Sequence, residues 1–188
     1  DIKFNEHPFL KEKNKNEWII KKGVWNISKP IFLNGKVTVE AGTELNFSED
    51  SYLIIEGQII ALGETKEQIL LKSNSSWKGI YVIGDGEKES LLKNVEIRNT
   101  TYLHDGILQL TGGVNFYNSQ IQIKDTKIVG SNAEDALNII NSNFKLENVE
   151  IGNTFSDGLN SDYSNGIITN SKFYNCGGDA IDLSGGYV

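Results

Sequence analysis

Several residue types are rare or missing: the 188 residues include one cysteine, two prolines, one arginine and no methionine. Because Cys176 has no second cysteine to pair with, an internal disulfide is excluded. Because there is no methionine, Asp1 is not a translation start, and we expect a processed chain or a piece of a longer protein.

Positive charge and long apolar runs are also scarce. The formal net charge is −7, and Arg98 is the single arginine. Binding of nucleic acid requires a dense surface of lysine and arginine, and a membrane-spanning helix requires roughly 20 consecutive apolar residues. The sequence has neither feature. We therefore expect no nucleic-acid partner and no insertion into a membrane.

Glycine, by contrast, is frequent, with 19 residues, and 38% of the chain is hydrophobic. This composition is too apolar for a disordered tail and suits many short strands joined by tight turns. The length is sufficient for one substantial domain with its own core.

A repeat of 22 residues organises the second half of the chain. Residues 134–138 (Glu-Asp-Ala-Leu-Asn) recur as residues 156–160 (Ser-Asp-Gly-Leu-Asn) and again as residues 178–182 (Gly-Asp-Ala-Ile-Asp). Apolar residues alternate in short bursts between asparagine, serine and glycine, which is typical of short strands and turns. The period predicts a coil of three strands, each pairing with its counterpart one coil away.

A second set of positions supports the same period. Residues 94–100 (Asn-Val-Glu-Ile-Arg-Asn-Thr) nearly match residues 148–154 (Asn-Val-Glu-Ile-Gly-Asn-Thr), two coils later if one coil carries an insertion. We expect that insertion around residues 110–116. Asn94, Asn148 and Asn170 each precede a strand, where asparagine suits a left-handed bend and stacked copies can bond to one another.

The sequence therefore predicts an all-β fold, a right-handed parallel β-helix with three-strand coils of about 22 residues. Residues 1–22 are rich in lysine, glutamate and asparagine, and we expect them to form an N-terminal cap or a linker. Residues 23–188 are expected to form the β-helix. Because the chain stops within a coil, we expect the natural protein to continue past Val188.

The asparagines at the bends, residues 37–45 (Val-Thr-Val-Glu-Ala-Gly-Thr-Glu-Leu) and residues 77–80 (Trp-Lys-Gly-Ile) resemble the pectin-lyase-like superfamily of right-handed β-helices and its bacterial secreted β-helix-repeat proteins. The resemblance covers roughly residues 24–188. It implies a secreted or cell-surface location and further domains in the same chain. It does not specify an activity, because the superfamily includes enzymes and non-enzymatic surface proteins.

A shorter stretch is similar to polygalacturonase-type glycosidases. Residues 153–158 and 178–181 resemble that family's two aspartate motifs, and the resemblance implies catalytic roles for Asp157 and Asp179. Gly178, however, stands where the family has the first aspartate of an adjacent pair. The general acid would then be absent.

The repeat also predicts columns of polar side chains. Asp135, Asp157 and Asp179 should stack at about 4.8 Å per coil, and the small residues after them, Ala136 among them, should face outward. A second column should contain Asn138, Asn160 and Asp182, with Asp162 nearby. Such a surface can bind sugar hydroxyls or a calcium ion, although aspartates at these positions can also serve only as turn residues.

The sequence around His104 resembles the repeat as well. Residues 105–107 copy its Asp-small-apolar pattern, so we expect Asp105 to join the acid column and His104 to be a surface residue. Four aromatic residues are able to stack on sugar rings or to pack within the protein: Trp77, Tyr81, Tyr102 and Tyr117.

We expect a non-catalytic scaffold or a glycan-binding and adhesion module, with a polysaccharide or cell-surface glycan as partner and no cofactor other than calcium. The alternative is a fragment of a polysaccharide-degrading enzyme. A glycoside hydrolase is favoured over a uronate lyase, because the acid columns have no basic neighbour and repel a polyanion.

Overall fold

The structure is a computed structural model that describes residues 7–106 and 108–188. It is an all-β parallel solenoid of about seven coils, which confirms the predicted β-helix. The strands in chain order are β1 (Leu10–Asn14), β2 (Glu17–Ile20), β3 (Gly23–Ile27), β4 (Ile31–Val39), β5 (Thr43–Phe47), β6 (Leu53–Leu62), β7 (Ile69–Trp77), β8 (Ile80–Ile83), β9 (Glu89–Lys93), β10 (Val95–Thr100), β11 (Leu103–Asp105), β12 (Leu108–Leu110), β13 (Gly112–Tyr117), β14 (Gln120–Val129), β15 (Asp135–Ile140), β16 (Asn143–Thr154), β17 (Asp157–Asp162), β18 (Asn165–Thr169), β19 (Lys172–Cys176) and β20 (Ile181–Ser184).

Each coil contributes one segment to each of three parallel sheets. Sheet A contains β2, the second halves of β4 and β6, β9, the first halves of β14 and β16, and β18. Sheet B contains β3, β5, β7, β10, the second halves of β14 and β16, and β19. Sheet C contains the first halves of β4 and β6, then β8, β13, β15, β17 and β20.

The register of sheet C confirms the 22-residue period in the last coils. Leu137 lies opposite Leu159, and Leu159 lies opposite Ile181. The first step of sheet C, from Ile31 to Leu53, is also 22 residues, whereas the coils in the middle of the stack are longer. The longest step joins Ile80 to its partner Val114, 34 positions later. The parallel pairing places residues one coil apart side by side, so every column of side chains follows from the register.

The predicted insertion exists, but its position was wrong. The extra residues form an antiparallel hairpin of β11 and β12, in which Leu103 lies opposite Leu110. Gly112 begins a regular strand of sheet C and lies opposite Asp135. The expectation for Asp105 was therefore also wrong, because Asp105 belongs to the hairpin and Gly112 occupies the position before Asp135 in the acid column.

The bends before sheet B contain asparagines in the left-handed conformation, as predicted. The φ angles of Asn94, Asn148 and Asn170 are 48°, 53° and 52°, a region that asparagine enters more readily than other side chains. Asp125 takes the same position in the intervening coil, with φ 49°. Its carboxylate Oδ1 accepts a hydrogen bond of 2.7 Å from Asn148 Nδ2. Stacked side chains thus bond to one another across coils.

Apolar residues fill the space between the three sheets in one continuous core. Trp77 is fully buried and stacks on Phe47 with 3.9 Å between ring centroids. Its indole Nε1 donates a hydrogen bond of 2.8 Å to the carbonyl oxygen of Arg98. A large side chain buried in this way stabilises the fold by about 1.5–3 kcal/mol, so these layers hold the coils together.

The outer faces of sheets A and B carry charges in pairs. Lys124 contacts Glu147 at 2.6 Å on sheet A, and Lys127 contacts Glu150 at 3.2 Å on sheet B. Because such exposed pairs contribute only about 0–1 kcal/mol each, they do little for stability. Their effect is to leave these two faces close to neutral.

A short antiparallel pairing lies at the N-terminal end of the stack. Strand β1 pairs with β2, and β2 pairs in parallel with β4. Phe9 and Trp18 are buried there, and Trp18 Nε1 donates a hydrogen bond of 2.9 Å to the carbonyl oxygen of Asn34. Residues 7–22 therefore contribute strands and buried side chains to the first coils.

Candidate functional site

The outer surface of sheet C, which we call the C face, displays two columns of side chains because alternate residues of a strand point outward. The pairing register of the sheet C strands places the members of each column opposite one another in successive coils. The first column contains Phe32, Ile54, Tyr81, Asn115, Asn138, Asn160 and Asp182. The second column contains Asn34, Glu56, Ile83, Tyr117, Ile140, Asp162 and Ser184. Along the first column the surface changes from aromatic through amide to acid.

The hairpin of β11 and β12 folds onto the aromatic part of the C face. Leu103, Tyr52 and Tyr81 are buried there and form a second apolar cluster outside the main core. Tyr52 Oη donates a hydrogen bond of 3.0 Å to Asp105 Oδ2, and Tyr81 Oη donates one of 3.2 Å to the carbonyl oxygen of Gly112. Burial, followed by the adjacent Asp105 carboxylate, raises the pKa of Tyr52 to about 12. Both phenols therefore stay neutral and anchor the hairpin.

A groove of about 380 Å³ runs between this hairpin and the strands of sheet C. Its walls are mainly apolar, and the ring of Tyr117 in the groove is 49% exposed. The lining residues are Tyr81, Val82, Ile83, Gln109, Leu110, Thr111, Asn115, Phe116, Tyr117, Asn138 and Ile140. A second groove of about 380 Å³, which contains Glu56, shares Ile83 with the first. The two grooves therefore follow the second column over several coils.

The amide column joins the groove to the acidic end of the C face. Asn138 lines the groove although it is only 6% exposed. Its Oδ1 accepts a hydrogen bond of 3.2 Å from Asn160 Nδ2, which also lies 3.2 Å from Asp162 Oδ2. Asn160 lies opposite Asp182 in the next coil. The structure thus brings the predicted residues of this column together, as the period required.

The acid column is also assembled as predicted. Asp135 lies opposite Asp157, and Asp157 Oδ1 accepts a hydrogen bond of 2.8 Å from the backbone N–H of Asp179. Oxygens of Asp157, Asp179 and Asp182 all lie within 4.8 Å of one another. We call these three residues the acidic corner. Such a group of carboxylates is able to bind a cation.

Asp135 differs from the acidic corner in its burial. It is 5% exposed, and its carboxyl group accepts no hydrogen bond from any described residue. Burial raises its pKa to about 7, and repulsion from Glu134, Asp157, Asp162 and Asp182 acts in the same direction. Near neutral pH the carboxyl group of Asp135 is therefore only partly ionised.

Ala136 and Gly158, the small residues after the first two aspartates, are buried, so the expectation that they face outward was wrong. Ala136 is fully buried in the main core, although Asp135 and Leu137 beside it are buried as well. The groove is instead formed by the hairpin and the C face.

Gly178 lies against the Asp157 carboxylate. A Cβ atom at position 178 would lie 2.1 Å from Asp157 Oδ1, well inside contact distance. An aspartate at 178, as in the glycosidase motif, would force Asp157 to move. The glycine at position 178 therefore allows the Asp157 carboxylate to occupy its observed position.

Sequence reasoning did not identify the hairpin wall of the groove or Asn115. Gln109 and Leu110 belong to that wall, and their role depends on a contact with sheet C that no periodic pattern encodes. Asn115 lies opposite Asn138. The interval of 23 residues between the two asparagines, close to the repeat, could have identified Asn115.

Comparison with protein-family models, curated proteins and solved structures gives no match to this chain. In the part of the chain that the structure describes, no helix is long and apolar enough to cross a membrane.

Proposed function

We propose that this protein is an extracellular or cell-surface β-helix module that binds an extended polysaccharide along the C face without cleaving it. The observation that carries this proposal is the groove beside the hairpin, in which the half-exposed ring of Tyr117 lies next to the amide column. The amides continue to Asp182 through Asn160.

The chemistry of the groove suits a sugar polymer. A sugar ring presents C–H groups on one face and hydroxyl groups at its edges, so it needs an apolar platform flanked by hydrogen-bonding groups. Tyr117 and Ile140 supply the platform, while Asn138 and Gln109 supply polar edges. Because coils repeat at about 4.8 Å, an extended chain can repeat the same contacts on successive coils.

Two observations argue against an inverting hydrolase. The oxygens of Asp157 and Asp179 lie within 4.8 Å of each other, closer than the about 6.5–9.5 Å of an inverting glycosidase and nearer to the about 5–5.5 Å of a retaining one. Gly178 replaces the family's general acid, and Asp157 fills the space beside it. The alternative proposal, a hydrolase fragment, rests on the raised pKa of Asp135.

We also propose kinship with the pectin-lyase-like superfamily and its β-helix-repeat proteins. The support is the column of left-handed asparagines before sheet B, with Asp125 bonded to Asn148 within it. Further domains of the same chain, carried on such a rigid stack, fit an adhesion or scaffold role.

The proposal is tested with an array of polysaccharides, followed by titration of the best binder. Tyr117→Ala should weaken binding by about tenfold or more, because loss of a central aromatic contact costs at least about 1.4 kcal/mol. Tyr174→Ala is the matched control, since Tyr174 lies on sheet B, and it should leave the affinity unchanged. Equal effects of both variants would contradict the assignment of the groove, and release of reducing ends would contradict a non-catalytic role.

A further inference from the structure

Charge is distributed unequally among the three faces. The strand segments of sheet C contain no lysine or arginine, whereas those of sheets A and B do. Several basic residues on sheets A and B contact carboxylates, among them in the pairs Lys72–Glu44, Arg98–Glu96, Lys124–Glu147 and Lys127–Glu150. The C face, in contrast, carries Glu56, Asp162 and the acidic corner, and none of these contacts a described lysine or arginine. Its carboxylates therefore lack the compensation found on the other two faces.

Two buried polar groups next to the acidic corner also lack partners. The carboxyl group of Asp135 is opposite Asp157 and accepts no hydrogen bond from a described residue. The amide NH₂ of Asn138 lines the groove and donates none within residues 7–106 and 108–188. Ser161 Oγ is the one fully enclosed polar side-chain atom without a partner among the described residues. The atoms of Asp135 and Asn138 that make no hydrogen bond therefore reach the surface, where a ligand is able to bond to them.

We propose that the C face binds an amino-sugar polymer, with a protonated amino group of the sugar seated on Asp157, Asp179 and Asp182. This inference rests on the proposed glycan-binding function. An ammonium group has three donors and no acceptor, which complements carboxylate oxygens within 4.8 Å of one another. The column of Asn138, Asn160 and Asp182 connects this seat to the sugar platform at Tyr117.

The same charge distribution disfavours a polyuronate. A groove lined by charges of one sign concentrates ligands of the opposite sign and repels those of the same sign. A neutral glycan would fit the platform but would leave the acidic corner without a counter-charge. The protein should therefore bind cationic glycans most tightly, neutral glycans less tightly and anionic glycans least tightly.

The test uses three oligosaccharides of equal length: a glucosamine oligomer, its N-acetylated form and a galacturonate oligomer. Calorimetric titration is done at low salt and at a pH where the glucosamine amines are protonated. We expect the amine form to bind at least about tenfold more tightly than the acetylated form, and this preference should shrink at high salt because of screening. Asp179→Asn combined with Asp182→Asn should abolish the preference. The control Glu12→Gln combined with Glu64→Gln makes the same change in net charge at exposed sites elsewhere.

The possible results distinguish a failure of the amino-sugar assignment from a failure of the proposed glycan-binding function. Equal binding of the amine and acetylated forms, or tighter binding of galacturonate, would overturn the amino-sugar assignment and leave a glycan-binding module. No binding of any sugar would overturn both proposals. Calcium titrated alone provides a further arm: if calcium binds at the acidic corner and displaces the amine oligomer, the corner is a metal site and the inference is wrong.

Discussion

At the scale of single residues, Asp135 is the residue of the C face whose ionisation is least favourable for the fold. Its side chain is nearly covered by the coil, it faces three aspartates, and no described residue donates a hydrogen bond to it. Burying an ionised carboxylate under these conditions is unfavourable, so the group responds by raising its pKa. The fold therefore loses stability when Asp135 ionises.

Replacing Asp135 with asparagine should remove this loss. Because the folded-state pKa of about 7 exceeds the ordinary value of 3.8, the folded chain binds more protons than the unfolded chain between these pH values, and stability falls as pH rises through them. Asp135→Asn should thus be more stable than the native chain at pH 8 by about 1–2 kcal/mol, a figure reduced for solvent screening, and equal to it near pH 4.

Urea unfolding at both pH values measures the difference. Asp50→Asn is the control, because Asp50 lies exposed on a turn, and it should change the pH dependence little. If Asp135→Asn is no more stable than the native chain at pH 8, the ionised carboxylate of Asp135 does not destabilise the fold.

The columns of the C face were predictable because a period fixes their register. Once residues 22 apart are neighbours, Asp135 must lie opposite Asp157, and Asn138 opposite Asn160. Burial of Asp135, which is 5% exposed, was not predictable, since the period fixes which residues are neighbours and not how far they are covered. The assignment of Asp105 failed because a three-residue pattern matched the repeat while its long-range contacts did not.

At the scale of elements, the hairpin of β11 and β12 is an addition to an otherwise regular coil. If residues 103–110 are removed, Thr101, Tyr102 and Thr111 remain between Thr100 and Gly112. The equivalent link between Ser131 and Asp135 in the next coil also has three residues. The sequence predicted an insertion from the irregular interval but could not place it, because its apolar residues resemble those of a strand.

Deletion of residues 103–110 should leave the β-helix folded, because the shortened link matches its neighbour. The deletion uncovers Tyr81 and Ile54 and removes one wall of the groove. We expect a circular dichroism spectrum of β type, a modest loss of stability, and glycan affinity weakened by at least about tenfold. Unchanged affinity in a folded deletion variant would place the binding surface elsewhere.

At the scale of the whole molecule, stability is distributed along a stack in which each coil contacts its neighbours. Strands β1 and β20 pair with one partner strand each, whereas β15 pairs with strands on both sides. The fold class and period were readable from sequence, because this arrangement repeats. The lengths of the early coils were not readable from the sequence, because the residues that pair between those coils do not share a repeated sequence pattern.

Hydrogen exchange should therefore be graded along the stack. Amides of β14 and β15 should exchange at least about a hundredfold more slowly than those of β1 and β20, because end coils open without disrupting the middle. Exchange followed by mass spectrometry of peptides measures this gradient. Uniform protection along the chain would indicate instead that all coils unfold together.

The hairpin also affects how such a protein can evolve. It enters and leaves the stack at one corner, and a link of ordinary length remains when it is subtracted. One wall of the groove is thereby encoded separately from the strands that hold the coils together. Selection, or an engineer grafting a new loop, can change that wall while the spiral beneath is inherited intact.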